Sequence, residues 1–180
     1  MALSPVRIPD NIVKLYQDPQ RHYHTLDHIN HMLSLIPTDH PNARELIYAT
    51  WFHDCVYGPQ AKHGVNETES IQQWEKYVEE QKEELYDVFR NETNILLVQR
   101  FLDMDMDILA SQRNDYLEYT RKLRQEYAYF SDKAFRKGRA EFLRGELKKN
   151  RVFYLDENHG KNKIARENMR AELAMLEECL

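Results

Sequence analysis

Apolar residues recur at helical spacing along most of the chain, and strict alternation is confined to one short run. Pro9-Asp10-Asn11 ahead of Ile12, Val13, Leu15 and Tyr16 predicts a helix start and a first short helix. Leu26, Ile29, Leu33 and Ile36 form the apolar stripe of a second helix, which Pro37 stops. A turn at Asp39 to Pro41 leads into a third helix over Ala43 to Tyr57, ended by Gly58-Pro59. After a polar loop through Gly64, Asn66-Glu67-Thr68-Glu69 has the composition of a helix start with Asn66 as cap. Ile71, Trp74 and Val78 are the expected buried side of that fourth helix. Residues 79 to 84 are almost wholly charged, a solvated face or a loop, and Leu85, Val88 and Phe89 precede a break near Asn91. A long helix is expected over Ile95 to Ala110. Three more follow, marked by Tyr116, Tyr119, Leu123 and Tyr127, by Phe135, Phe142, Leu143 and Leu147, and by Ile164 to Leu180 after a turn at Asn158-His159-Gly160. The expected fold is all-α.

Two places break the apolar pattern in an informative way. Ala49-Thr50-Trp51-Phe52-His53-Asp54-Cys55-Val56-Tyr57 reads as one buried helix with a histidine and an aspartate in its middle. An ionised carboxylate is costly to bury unless it is paired or coordinates a metal. The plainer alternative has both residues facing solvent or bonded to nearby backbone. The second place is Asp103-Met104-Asp105-Met106-Asp107, whose alternation has the wrong period for one helical face, so at least one aspartate is expected to point inward.

Composition narrows the class. A chain of 180 residues with 42% hydrophobic and 31% charged residues can bury one real core, and its five glycines and six prolines suit long helices. A net charge of −5 argues against nucleic acid as a default partner, while leaving room for a local basic patch that binds a small phosphate ester. No apolar stretch approaches the roughly 20 residues that span a bilayer, and Met1 to Asp10 lacks the apolar run of a secretion signal. Two cysteines, Cys55 and Cys179, fit a reduced compartment, so the expectation is a cytoplasmic protein. The tyrosines of the C-terminal half form either a core or the surface of a homo-oligomer.

A divalent metal held by imidazole and carboxylate needs donors from several rigid elements. His28 on the second helix, His53 and Asp54 on the third and an aspartate near position 105 supply such a set. His24 and His28, four apart, and His31 three further on are expected to share a face. Ligands of this mixture suit one ion of manganese, iron, cobalt, nickel, zinc or magnesium. Such an ion activates bound water and polarises a phosphoryl oxygen.

The order of these residues resembles the HD superfamily of metal-dependent phosphohydrolases, and more closely a family of predicted HD phosphohydrolases of about this length. The resemblance is carried by Arg21-His22-Tyr23-His24 with His28, by Trp51-Phe52-His53-Asp54 with Val56-Tyr57, and by Asn66-Glu67 with Ser70. It continues through Phe101-Leu102-Asp103-Met104-Asp105, Arg124-Gln125-Glu126-Tyr127, Gly138-Arg139 and Ala165-Arg166-Glu167-Asn168. It implies a single HD-like domain over 1–180, with metal-site helices at about 23–110 and a helical extension at about 113–180. It implies His28, His53, Asp54 and Asp105 as ligands, with Asp103 as the alternative to Asp105. His24 would give a proton to the leaving oxygen, or else support the ligands. Glu67 would orient or deprotonate the attacking water, or else simply favour the dipole of its helix.

Arg21 and Arg124 are the candidates for the substrate phosphate, with Lys122 and Arg139 behind them; Arg124 and Arg166 could instead lock the C-terminal helices, Arg124 through Glu126. The implied activity is hydrolysis of a small phosphate ester, such as a nucleotide, by a metal-activated water. The resemblance also implies a longer segment after the Asn-Glu pair with a further histidine, and residues 79 to 100 hold none. The alternative is therefore a catalytically silent module of the same fold that binds a nucleotide or a protein.

Overall fold

The computed structural model describes residues 6–62, 64–81 and 95–178. The expectations at residues 82–84, Leu85, Val88, Phe89 and Asn91, at His63 and at Cys179 and Leu180 lie outside the described residues. Among the described residues there are eight α-helices and no strand: α1 Asp10–Leu15, α2 Leu26–Ser34, α3 Ala43–Phe52, α4 Val65–Glu80, α5 Ile95–Asp105, α6 Arg113–Glu126, α7 Asp132–Lys148 and α8 Lys161–Glu177. Short 3-10 turns occupy Met106–Ala110 and Asp156–Asn158. No helix is long and apolar enough, among those residues, to cross a membrane. The chain forms two compact units, Met1–Leu97 and Val98–Leu180. The division falls at Leu97 rather than between 110 and 113, so Asp103 and Asp105 belong to the second unit.

In the first unit, Ile12, Tyr16, Ile29, Tyr48, Phe52, Cys55 and Tyr77 pack into one core. Phe52 meets Trp74 edge-on at 5.1 Å and Tyr77 at 5.4 Å, so α3 and α4 are joined through aromatic faces. The buried side of α4 runs through Ser70 and Tyr77, and Ile71, expected inside, is 56% exposed. Asn66 is not the cap of α4. Gly64 takes that place with φ +82°, a left-handed backbone that glycine adopts without strain, and Asn66 is engaged elsewhere.

α3 also ends earlier than the apolar run suggests. Its last residue is Phe52, and His53 caps it. The Thr50 carbonyl, which a longer helix would offer to the Asp54 amide, instead accepts from the His53 ring at 2.9 Å. The His-Asp pair therefore sits in a turn at the helix end.

The second unit buries Met104, Leu109, Tyr116, Leu123, Leu143, Phe153 and Met169. Tyr116 and Tyr119 belong to this core, while Phe142 is 41% exposed. Asn168 ties α8 to the end of the 3-10 turn by donating to the Leu109 and Ser111 carbonyls at 3.0 Å each. Arg139 of α7 and Glu172 of α8, both buried, pair at 2.8 and 3.1 Å, and Glu172 also accepts from the Tyr116 hydroxyl of α6 at 2.5 Å. Three helices meet on that one carboxylate.

Candidate metal centre

Thr25 starts α2, its hydroxyl accepting from the Asp27 amide, so His24 lies just ahead of the helix and not on its face. His28 is in the first turns of α2 and 5% exposed, whereas His31, expected on the same side, is exposed. The end of α3 brings His53 and Asp54 to the same point. His28, His53 and Asp54 each offer one donor atom, and these atoms lie within 4.8 Å of one another.

The distances have chemical content. His28 Nε2 stands 3.4 Å from His53 Nε2, and His53 Nε2 stands 3.4 Å from Asp54 Oδ2. A carbonyl can only accept, so the bond from His53 Nδ1 to the Thr50 oxygen places the proton of the neutral ring on Nδ1. In that neutral form Nε2 of His53 is the nitrogen left to coordinate, and it lies between His28 Nε2 and Asp54 Oδ2 at 3.4 Å from each. Donor atoms at ~2.0–2.1 Å from one tetrahedral centre stand about 3.3–3.4 Å apart. The three residues form a possible metal-binding group, in which two separations match that spacing.

His24 is beside the group. Its Nε2 is 3.7 Å from Asp54 Oδ2, and its ring stacks on Tyr57 with centroids 4.2 Å apart. Tyr23 touches both His24 and His28 through its ring. The Asp54 carboxylate is the more open end of the cluster, 23% exposed against 13% for His53.

The turn after Asp54 is held from α4. Ser70 Oγ accepts from the Val56 amide at 3.0 Å and donates to the Val56 carbonyl at 3.2 Å. The Asn66 amide accepts from Gly58 N at 3.0 Å and donates to Gly58 O at 3.1 Å. This is the work of Asn66 in place of capping. Cys55 is buried beneath the turn, where burial pushes its thiol up.

Other expected site residues have other partners. Asp103, the alternative ligand, is 2% exposed and accepts from the Tyr154 amide at 2.6 Å, the Leu155 amide at 3.0 Å and the Asn158 side chain at 2.8 Å. It is the inward aspartate, and it closes the loop before α8. Asp107 pairs with Lys161 at 2.5 Å. Asp105, at the end of α5, adds negative potential at Tyr119, which places it towards α6.

Arg124 donates to the Tyr127 and Phe130 carbonyls and to Asp132, so it locks the α6–α7 corner through Asp132 and not through Glu126. Arg166 closes the other end of α7 by donating to the Leu147 carbonyl. Arg21 donates to the carbonyls of His24, Asp54 and Cys55. Arg21 is 7% exposed, whereas Arg124 keeps 31% of its side-chain surface and lines a pocket with Thr120, Arg121 and Asp132. Glu67 is exposed in the first turn of α4, where a carboxylate complements the helix dipole.

Comparison of the chain with protein-family models, curated proteins and solved structures found no match. The roles of Thr50 and of the Arg139–Glu172 pair were not visible in the sequence. A carbonyl has no residue code, and a pair 33 positions apart leaves no local signal.

Proposed function

We propose that the chain is a metal-dependent hydrolase of a small phosphate ester, a nucleotide being the first class to test. The observation that carries this reading is the meeting of three donor atoms, two 3.4 Å separations among them, at the end of α3. The ordered motifs from Arg21 to Asn168 support it. A bound divalent ion at such a point supplies a Lewis acid that lowers the pKa of water and takes up charge on a phosphoryl oxygen. His28, His53 and Asp54 would hold it.

The chain's own groups do the rest. The Thr50 carbonyl fixes the tautomer of His53, as the outer partners of metal-bound imidazoles do. Tyr57 fixes the plane of His24, whose Nε2 can hold a proton beside Asp54 and give it to a departing oxygen. Glu67, exposed at the start of α4, would orient or deprotonate the attacking water or else complement the helix dipole. The reading rests on the three residues of the first unit. Metal titration of Asp105→Asn separates a three-residue site, with unchanged affinity, from one that needs the fourth ligand the motif implies.

The deciding experiment is thermal unfolding of metal-stripped protein titrated with manganese, nickel, zinc and magnesium, followed by turnover of phosphate esters, with Asp54→Asn alongside. A metal-dependent rise in Tm and turnover, both lost in Asp54→Asn, is the expected result. No rise with any ion overturns the reading. A rise without turnover favours the silent module, which the lack of histidine over residues 79–100 also motivates.

A further inference from the structure

The three carbonyls that Arg21 binds belong to two stretches of chain, one at His24 and one at Asp54 and Cys55. Nη1 donates to His24 O at 3.1 Å and to Asp54 O at 2.8 Å, and Nη2 donates to Cys55 O at 2.7 Å. The guanidinium lies against the Tyr16 ring at 4.8 Å and the Tyr57 ring at 5.5 Å, and the residue is only 7% exposed. Its hydrogen-bond partners among the described residues are all main-chain oxygens. Such a residue binds no phosphate.

We infer that Arg21 is a positioning residue of the metal centre, fixing the Asp54 main chain against the His24 stretch and thereby setting metal affinity. This rests on the metal reading given above. The chemistry needs arginine. A planar fork can bridge two strands of chain and stack on two rings at once, whereas a lysine ammonium is a single point with neither property. The Tyr57 ring touches both the guanidinium and the His24 ring, and Arg21 itself binds the His24 and Asp54 carbonyls, so its loss should disturb both stretches.

Charge pulls the other way. A buried cation near a metal centre repels the ion, so deleting it would raise affinity if electrostatics ruled. Two variants separate the effects. Arg21→Lys keeps the charge and loses the fork; Arg21→Gln loses the charge and keeps a small planar donor. Cobalt(II) and manganese(II) affinities would be measured on each full-length variant, with the visible spectrum of the cobalt form as a readout of ligand geometry.

The expected result is a loss of tenfold or more in affinity for both variants, with a changed cobalt spectrum, in protein whose metal-free far-UV circular dichroism matches wild type. Wild-type affinity and spectrum in Arg21→Lys, or a rise in affinity in Arg21→Gln, overturns the inference. If neither variant folds, Tyr57→Leu strips one face from the guanidinium and is judged by the same two readouts. Wild-type protein that binds neither ion overturns the metal reading itself, whereas tight wild-type binding unaffected by these variants overturns only the role of Arg21.

Discussion

The two units treat their inward carboxylates in opposite ways, closing them in the second unit and leaving Asp54 part-exposed in the first. Glu172 in the second unit receives Arg139 twice and the Tyr116 hydroxyl, and Asp103 receives two amides and a side-chain donor. Each is closed by the protein itself. In the first unit Asp54 Oδ2 stands 3.4 Å from His53 Nε2 and 3.7 Å from His24 Nε2. A buried carboxylate closed by donors stabilises the fold, whereas a partly exposed one grouped with two histidines is an arrangement that a cation can use. The difference between a lock and a site is thus in the partners, since the residue types are the same.

Substitutions should break this contrast in order of size. Glu172→Gln leaves Arg139 buried beside a neutral amide and is expected to cost about 3–5 kcal/mol in urea unfolding. Asp54→Asn is the opposite case. Metal-free, its stability should change by less than about 1 kcal/mol, and it should forgo the ~2.7 kcal/mol that wild type gains from an ion at a hundred times its Kd. A metal-free loss as large as that of Glu172→Gln would erase the distinction between the two units.

Asp103→Asn turns an acceptor into a donor among three donors and should cost about 1–3 kcal/mol, read by the same unfolding curves. At neutral pH the smallest effect is none at all. Burial pushes the hydroxyls of Tyr16, Tyr116 and Tyr119 up, so the folded chain keeps their protons where the unfolded chain gives them away. Their contribution to stability is complete below about pH 10 and lost as pH climbs above it. Phenolate absorbance followed against pH should show these three appearing only together with unfolding; early titration of Tyr16 alone would mark the first unit as the looser one.

The helices were legible because their apolar spacing is local. The His-Asp pair was legible because its two residue types interrupt an apolar run. The end of α3 was not, since it involves a ring nitrogen taking the Thr50 carbonyl, while apolar residues run on through Val56 and Tyr57. Asn66 looked like a cap because asparagine at a helix start usually is one, yet Gly58 offered it both a donor and an acceptor. The choice between Asp103 and Asp105 could not be made by pattern. It was Asp103 that turned inward, towards amides 51 and 52 residues away. The main-chain bonds of Arg21 and Arg124 were illegible for the same reason, as carbonyl partners carry no signature in the sequence.

The turn that carries Asp54 is gripped through its main chain. Arg21 takes the carbonyls of Asp54 and Cys55, Ser70 takes both polar atoms of the Val56 backbone, and Asn66 takes those of Gly58. None of these grips reads the side chain at position 56. Drift in sequence should therefore be restricted at Arg21, Asn66 and Ser70, which are far from Asp54 along the chain yet bonded to its turn. In a library of random variants selected for retained metal binding, these three should stay fixed, while Val56, whose side chain packs on the core of the first unit, should accept other apolar residues.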